Sequence, residues 1–196
     1  MENIDINTPH PKYGDFPIDS YFVSRIQEIV KEYDIKNIVE TGVDKGCSTV
    51  FFAKTVEKVY GIEILQQSID FATNRLKDHN LNNVELIKGN SPIVLLSLMH
   101  KLDVSKTLFF LDAHWQAYWP LLDEIDTISR RKGVIVIHDA QVPDHPEFGY
   151  DTWNGKALNY DYVKEALTRW SPNHKVEYSL KHNYYNPRGT MYVFPS

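Results

Sequence analysis

The sequence predicts an α/β fold: a doubly wound, mostly parallel sheet with a C-terminal antiparallel hairpin strand. Three observations carry that expectation. Strand-like and helix-like patterns alternate in five successive β-α units. The run Thr107-Leu108-Phe109-Phe110-Leu111-Asp112 is apolar on both faces, as a strand in the middle of a parallel sheet must be. Two closing strand-like runs, Lys175 to Tyr185 and Thr190 to Phe194, are joined through Asn186-Pro187-Arg188-Gly189, which reads as a hairpin turn. In such sheets ligands sit at the carboxyl ends of the strands, so candidate chemistry is sought there.

Residues 1–18 carry Pro9, Pro11 and Pro17 and read as an irregular N-terminal arm. Phe22, Ile26, Ile29, Val30 and Tyr33 then recur at helical spacing after Asp19 and Ser20, two candidate caps. Asn37 to Glu40 is a short buried strand that ends at Gly42 and Gly46, before a helix from Ser48 to Thr55. A second strand, Val59 to Ile64, leads to a helix from Gln66 to Asn80 with Ile69, Ala72 and Leu76 on one face. A third strand, Val84 to Lys88, precedes Ser91-Pro92, read as an N-cap and first helical residue of a helix reaching Leu102. After the Thr107–Asp112 strand come a helix from Trp119 to Arg130, a fifth strand from Gly133 to His138, and a loop from Asp139 to Asn159. The length of that loop points to function; a helix from Tyr160 to Trp170 follows it.

Composition narrows the function. A length of 196 residues suits one domain over residues 1–196, and 42% hydrophobic with 24% charged residues is ordinary for a globular chain. No apolar run approaches the roughly 20 residues that span a bilayer, so no membrane partner is expected. Met1 to His10 lacks the basic and apolar regions of a secretory signal, which makes the cytoplasm the expected location. A single cysteine, Cys47, permits no internal disulfide. The net charge of −5 argues against nucleic acid, since phosphate binding needs a dense field of Lys and Arg. The tight basic run Arg130-Arg131-Lys132 reads as the solvated end of a helix. Oligomeric state is left open.

The first candidate site is Glu40-Thr41-Gly42-Val43-Asp44-Lys45-Gly46, where a strand turns into a helix on two glycines that let a ligand approach the backbone. The spacings G-x-G-x-x-G and G-x-x-x-x-G-K-[ST] are both absent, which disfavours a pyrophosphate ligand. Glu63 closes the second strand, where an acid can accept hydrogen bonds from ribose hydroxyls. Gly89-Asn90-Ser91 ends the third strand, where an amide and backbone groups can hold an adenine edge; helix capping by Ser91 is the plainer reading of the same residues. The second candidate site is Leu111-Asp112-Ala113-His114-Trp115 together with Ile137-His138-Asp139, at the ends of neighbouring central strands. Asp112, His114, His138 and Asp139 can bind a divalent metal (Mg²⁺, Mn²⁺, Fe²⁺ or Zn²⁺), or His114 can act as a general base, or the cluster can merely shape the cleft. Trp115, Trp119, Trp153 and Trp170, with Phe148, Tyr150, Tyr184 and Tyr185 near in sequence, are candidates for an acceptor pocket wall or for core. Asp144, His145 and Glu147 are candidates for a gate or for solvated loop.

Taken in order, Glu40-x-Gly42-x-x-x-Gly46, Glu63, Gly89-Asn90 and Leu111-Asp112 resemble the class I S-adenosylmethionine (SAM) dependent methyltransferases over roughly residues 36–140. The resemblance implies a Rossmann-like methyltransferase fold with SAM as cofactor. The glycine loop with Glu40, Thr41, Gly42 and Gly46 would lie near the SAM methionine part, Glu63 would hold the ribose, and Asn90, Ser91 and Asp112 would flank the rest of the ligand. The Asp-His and His-Asp pairs are similar to those of the methyltransferase 24 group and, more distantly, to catechol O-methyltransferases. That likeness implies metal-assisted O-methylation of a small hydroxylated compound. Two departures stand out. Gln116 falls where the catechol enzymes have a lysine base, and Ala140 falls where they have an asparagine metal ligand. His114 is the expected base, Asp112 the expected catalytic carboxylate. A SAM-binding protein without catalysis, and an NAD- or nucleotide-sugar-binding enzyme of related topology, are the alternatives.

Overall fold

Asp19 starts the first helix as its sequence position predicts. Its side chain accepts the backbone N–H groups of Tyr21 and Phe22 at 2.8 and 3.3 Å, and α1 runs Ser20–Glu32 with Val23, Ile26 and Ile29 buried. The computed structural model describes residues 19–114, 118–128 and 133–196. The N-terminal arm at 1–18, Trp115, Gln116 and the basic run at 130–132 lie outside the described residues.

The remaining elements follow in alternation: β1 (Asn37–Thr41), α2 (Cys47–Thr55), β2 (Lys58–Glu63), α3 (Gln66–Asp78), β3 (Val84–Lys88), α4 (Ser91–Leu98), β4 (Thr107–Leu111), α5 (Leu121–Ile128) and β5 (Val134–His138). The chain closes with two-residue strands β6 (Thr152–Trp153) and β7 (Lys156–Ala157), α6 (Tyr160–Trp170), β8 (Lys175–Tyr178) and β9 (Thr190–Phe194). The main sheet has the order β3-β2-β1-β4-β5-β9-β8. Its first five strands are parallel, and β9 runs antiparallel to both β5 and β8. The doubly wound sheet with a C-terminal antiparallel pair is therefore observed.

Successive residues of a strand face opposite sides, and the two cores show that period of two. Val39, Phe109, Leu111, Ile135, Ile137, Met191 and Val193 meet α4, α5 and α6 on one face. Ile38, Leu108, Phe110, Val134, Val136, Tyr192 and Phe194 meet α1 and α2 on the other. Every residue of β4 is buried, as a middle strand covered on both faces requires.

Three expectations need correction. The fourth helix stops at Leu98, not Leu102, and its N-cap is Asn90, so Ser91 is the first helical residue. A separate 3-10 turn at Val104–Lys106 follows, started by Asp103, whose carboxylate takes the Ser105 N–H at 3.1 Å. The final hairpin is not tight: β8 ends at Tyr178, and residues 186–189 leave the sheet. They are held instead by Gly149 N–H on Pro187 O at 2.8 Å, Gly189 N–H on Gly149 O at 2.9 Å and Ala140 N–H on Gly189 O at 2.9 Å. Trp119 and Trp170 are core, at 8% and 4% exposure, and Trp153 stacks on Trp119 with ring centroids 6.2 Å apart.

Candidate active site

Strand order reverses at β1, which has β2 on one side and β4 on the other. The parallel register aligns Thr41 with Ile62 and Leu111, and Leu111 with Ile137. The five parallel strands thus end along one line, and the loops that follow them enclose a cleft of about 730 Å³. That volume lies within the roughly 300–1,000 Å³ of ligand pockets. Gly42, Glu63, Gly89, Ser91, Asp112, His114, His138 and Asp139 all line it.

The glycine loop behaves as its sequence requires. Gly42 has φ +78, and a Cβ there would stand 2.6 Å from the Asp112 carbonyl oxygen, so only glycine fits between β1 and β4. Gly46 caps α2 in the left-handed region. Glu63 is more occupied than its strand-end position implies. Its carboxylate accepts three backbone N–H groups, from Asp44 at 3.0 Å, Ile64 at 2.7 Å and Leu65 at 2.8 Å. A carboxylate has about four acceptor sites, leaving roughly one for a ligand hydroxyl. At the end of β3, the Asn90 Oδ1 atom is buried with no partner among the described residues, while Ser91, which lines the cleft, has its buried hydroxyl near the Glu124 carboxyl. A buried polar atom without a partner, such as Asn90 Oδ1, is one a ligand can satisfy.

Glu40 and Thr41 do not line the cleft; both are fully buried. Glu40 turns under the loop, where its carboxyl is bonded to the Ser48 and Thr49 hydroxyls. Burial pushes it up to about 8 despite those hydroxyls. Glu124 on α5 is likewise fully buried, near Ser91 and Thr41, and burial raises it to about 7. A carboxyl raised on folding binds more protons in the native than in the unfolded chain between its two pKa values, so stability falls as pH rises through that window. Both groups give the same sign. The melting temperature is therefore expected to drop steadily from pH 5 to pH 8, read by scanning calorimetry, and Glu124→Gln should flatten the slope below pH 7.

The second cluster assembles at β4 and β5. His138 Nδ1 lies 3.2 Å from both Asp112 Oδ1 and Asp139 Oδ1. Burial opposes its charge, but the two carboxylates outweigh burial and raise it to about 9, so the imidazole is protonated at neutral pH and donates Nδ1–H to Asp112, with Asp139 beside it as a second counter-charge. Asp139 sits at φ 57, a left-handed conformation that costs a residue with a Cβ about 1 kcal/mol. It is nevertheless held well below the usual carboxylate range: burial raises it, while the Arg188 hydrogen bond and the His138 and Arg188 charges prevail. His114 is 47% exposed, with Nε2 at 3.6 Å from Asp151 Oδ2.

Sequence reasoning missed several neighbours. Arg188 donates from Nε to Asp139 Oδ1 at 2.6 Å and from a terminal nitrogen to Asp151. A second cavity, of about 220 Å³, adjoins the cleft, and Asp112, His138 and Arg188 line both. Among the described residues its aromatic lining is Phe22, Phe110, Phe148 and Tyr184, not Trp119, Trp153 or Trp170. Asp144, His145 and Glu147 line neither cavity; His145 and Glu147 pair with each other at 2.9 Å.

Among the described residues, two triads bring possible metal donor atoms within 4.8 Å of one another: Asp112, His138 and Asp139, and His114, Asp139 and Asp151. The expected four-residue set is therefore split between two places. Both triads use Asp139, whose carboxylate is already bonded to Arg188, and the second also uses Asp151, bonded to the same guanidinium. A divalent ion in either triad would lie against a fixed positive charge, so this donor set does not fit one while Arg188 is in place.

The strand order, the glycine loop and the carboxylates at the strand ends define the architecture of the class I SAM-dependent methyltransferases. The chain belongs to the methyltransferase 24 family, a methyltransferase domain whose model matches residues 39–140, just over half of the 196 residues. An uncharacterized RNA methyltransferase of Clostridium tetani is 28% identical over 99 residues, 46% of this chain and 22% of that protein. The chain spans about a quarter of the length of the curated relatives it matches. Among solved structures, the O-methyltransferase TomG of Streptomyces achromogenes, in complex with SAM, has a TM-score of 0.64 at 16% identity, covering 94% of this chain and 83% of that one. The O-methyltransferase of Bacillus cereus, in complex with S-adenosylhomocysteine (SAH), has a TM-score of 0.61 at 20% identity, covering 91% and 82%. These likenesses establish the fold.

Proposed function

We propose that the chain transfers the SAM methyl group to an oxygen of a small acceptor. SAM occupies the larger cleft, with its methionine part over Gly42, its ribose on the remaining acceptor site of Glu63 and its adenine beside Asn90 and Ser91. The acceptor occupies the smaller cavity. The observation that supports this reading best is the shared wall: Asp112, His138 and Arg188 face both spaces, so a donor in one can meet an acceptor in the other. SAM already carries an activated methyl group, and the work left to the protein is to align the acceptor oxygen and take up its proton. Protonated His138 cannot take that proton at neutral pH, whereas the Asp112 carboxylate beside it can receive it. His114, the base expected from sequence, lines the cleft and not the smaller cavity.

An RNA acceptor is the second reading, carried by the name of the Clostridium tetani relatives. The charge of −5 and the cavity of about 220 Å³ favour the small acceptor. Screening hydroxylated small molecules and total RNA for SAH release separates the two. Release with a small acceptor is expected; release with RNA alone would overturn the proposal, and SAM binding without release to any acceptor would favour a binding protein. On the cofactor side, Glu63→Ala should weaken SAM binding by roughly 10- to 100-fold, the worth of one hydrogen bond to a charged group, as read by calorimetry.

A further inference from the structure

Arg188 is held through both its backbone and its side chain. Its backbone is fixed on both sides by the Gly149 bonds to Pro187 and Gly189, and two carboxylates orient its guanidinium. A Cβ at position 149 would stand 3.0 Å from Nη1, so the glycine there leaves room for the guanidinium beside the loop. A guanidinium has five N–H donors. Nε and Nη2 serve Asp139 and Asp151, and Nη1 has no partner among the described residues.

Of the two carboxylates lining the smaller cavity, Asp19 takes the N–H groups of Tyr21, Phe22 and Asn183, and Asp112 is bonded to His138 through Oδ1. Lys181 also lines the cavity and has no ion pair among the described residues, and Arg188, paired with Asp139 and Asp151, still keeps Nη1 free. Spare cationic donors, beside the Asp112 carboxylate, therefore face a space whose other walls include the rings of Phe22, Phe110, Phe148 and Tyr184.

We propose that Arg188 is the built-in cation of this site, and that with Lys181 it holds the acidic group of a small, flat acceptor whose ring lies among the four aromatic side chains. This rests on the reading of the smaller cavity as the acceptor side. The planar guanidinium pairs with both oxygens of a carboxylate where a lysine offers a point charge, and aromatic walls favour a ring over a flexible chain. The positive charge that a metal would bring is then part of the chain, and substrate selection by charge needs no added ion.

Benzoate and its neutral counterpart benzamide are suitable probes, titrated by NMR into the full chain saturated with SAH. Benzoate is expected to bind at least about tenfold more tightly than benzamide. Lys181→Ala, at an exposed position that lines the smaller cavity and not the cleft, should reduce that preference several-fold with SAH affinity within about threefold of the parent, and Arg188→Lys should reduce it further. Equal binding of the two probes to the parent chain, or an unchanged preference in both variants, would overturn the proposal. Mn²⁺ binding to the parent chain at micromolar concentration, read by paramagnetic resonance, would also overturn it. Failure of the chain to bind SAH at all would instead overturn the methyltransferase reading on which it rests.

Discussion

Asp112→Asn is expected to lower turnover by at least about 1,000-fold while leaving SAM affinity within about threefold, because a group that stabilises charge or moves a proton in the transition state contributes on that scale. Asp112 follows the middle strand β4, and its N–H bonds to the Thr41 carbonyl at 3.2 Å, so the backbone there is fixed independently of the side chain. Its carboxylate lies in the wall between the two cavities and pairs with His138 at 3.2 Å. Asparagine keeps the volume and removes only the charge, so binding and chemistry separate cleanly. Single-turnover assays with the acceptor found by screening read the effect. Loss of SAM binding with unchanged turnover at saturation would show that Asp112 belongs to the cofactor side alone.

The other large effect is at Gly42. Valine there would place a Cβ 2.6 Å from the Asp112 carbonyl oxygen and 3.0 Å from the Ala113 Cα, in a backbone conformation of φ +78 that valine resists. Both obstacles are backbone, in the residues that directly follow the fully buried strand β4, and neither can move aside cheaply. Strain and overpacking together should cost about 3 kcal/mol. In a chain of this size, that is a fall of roughly 6–12 °C in melting temperature. SAM affinity should fall more than about tenfold, because the same loop lines the cleft. Gly46→Ala is the comparison: at a similar φ of +73 its nearest contacts would be the Ala72 Cβ at 3.0 Å and Cα at 3.3 Å, with no backbone carbonyl in the way, so a smaller loss is expected. Equal losses at the two positions would mean that the contact with β4 is not what Gly42 protects.

The sheet was legible because its strands are short apolar runs with clear punctuation, and the strand-end residues Glu63, Asp112, His138 and Asp139 do converge on the cleft. Glu40 misled for a physical reason. In a strand covered on both faces, the sequence does not distinguish an acid turned into the interior from one turned toward a ligand, and Glu40 is turned inward. Arg188 and Asp151 were not legible. Their bonds join residues 49 and 37 positions apart, through two loops whose path depends on backbone contacts with Ala140 and Gly149. A Pro-Arg-Gly sequence between two strands reads locally as a turn, and only the tertiary fold makes it a cationic wall. Phe22 was hidden differently: it falls on the same helical period as core residues Ile26 and Ile29, yet lines the smaller cavity.

Calorimetric titration of the purified chain with SAM, with NAD titrated alongside, tests the central claim most directly. One molecule of SAM bound per chain, with a dissociation constant below about 100 µM and much weaker NAD binding, is expected for a working cofactor site. No SAM binding up to about 1 mM, or NAD bound in its place, would contradict the assignment of the cleft.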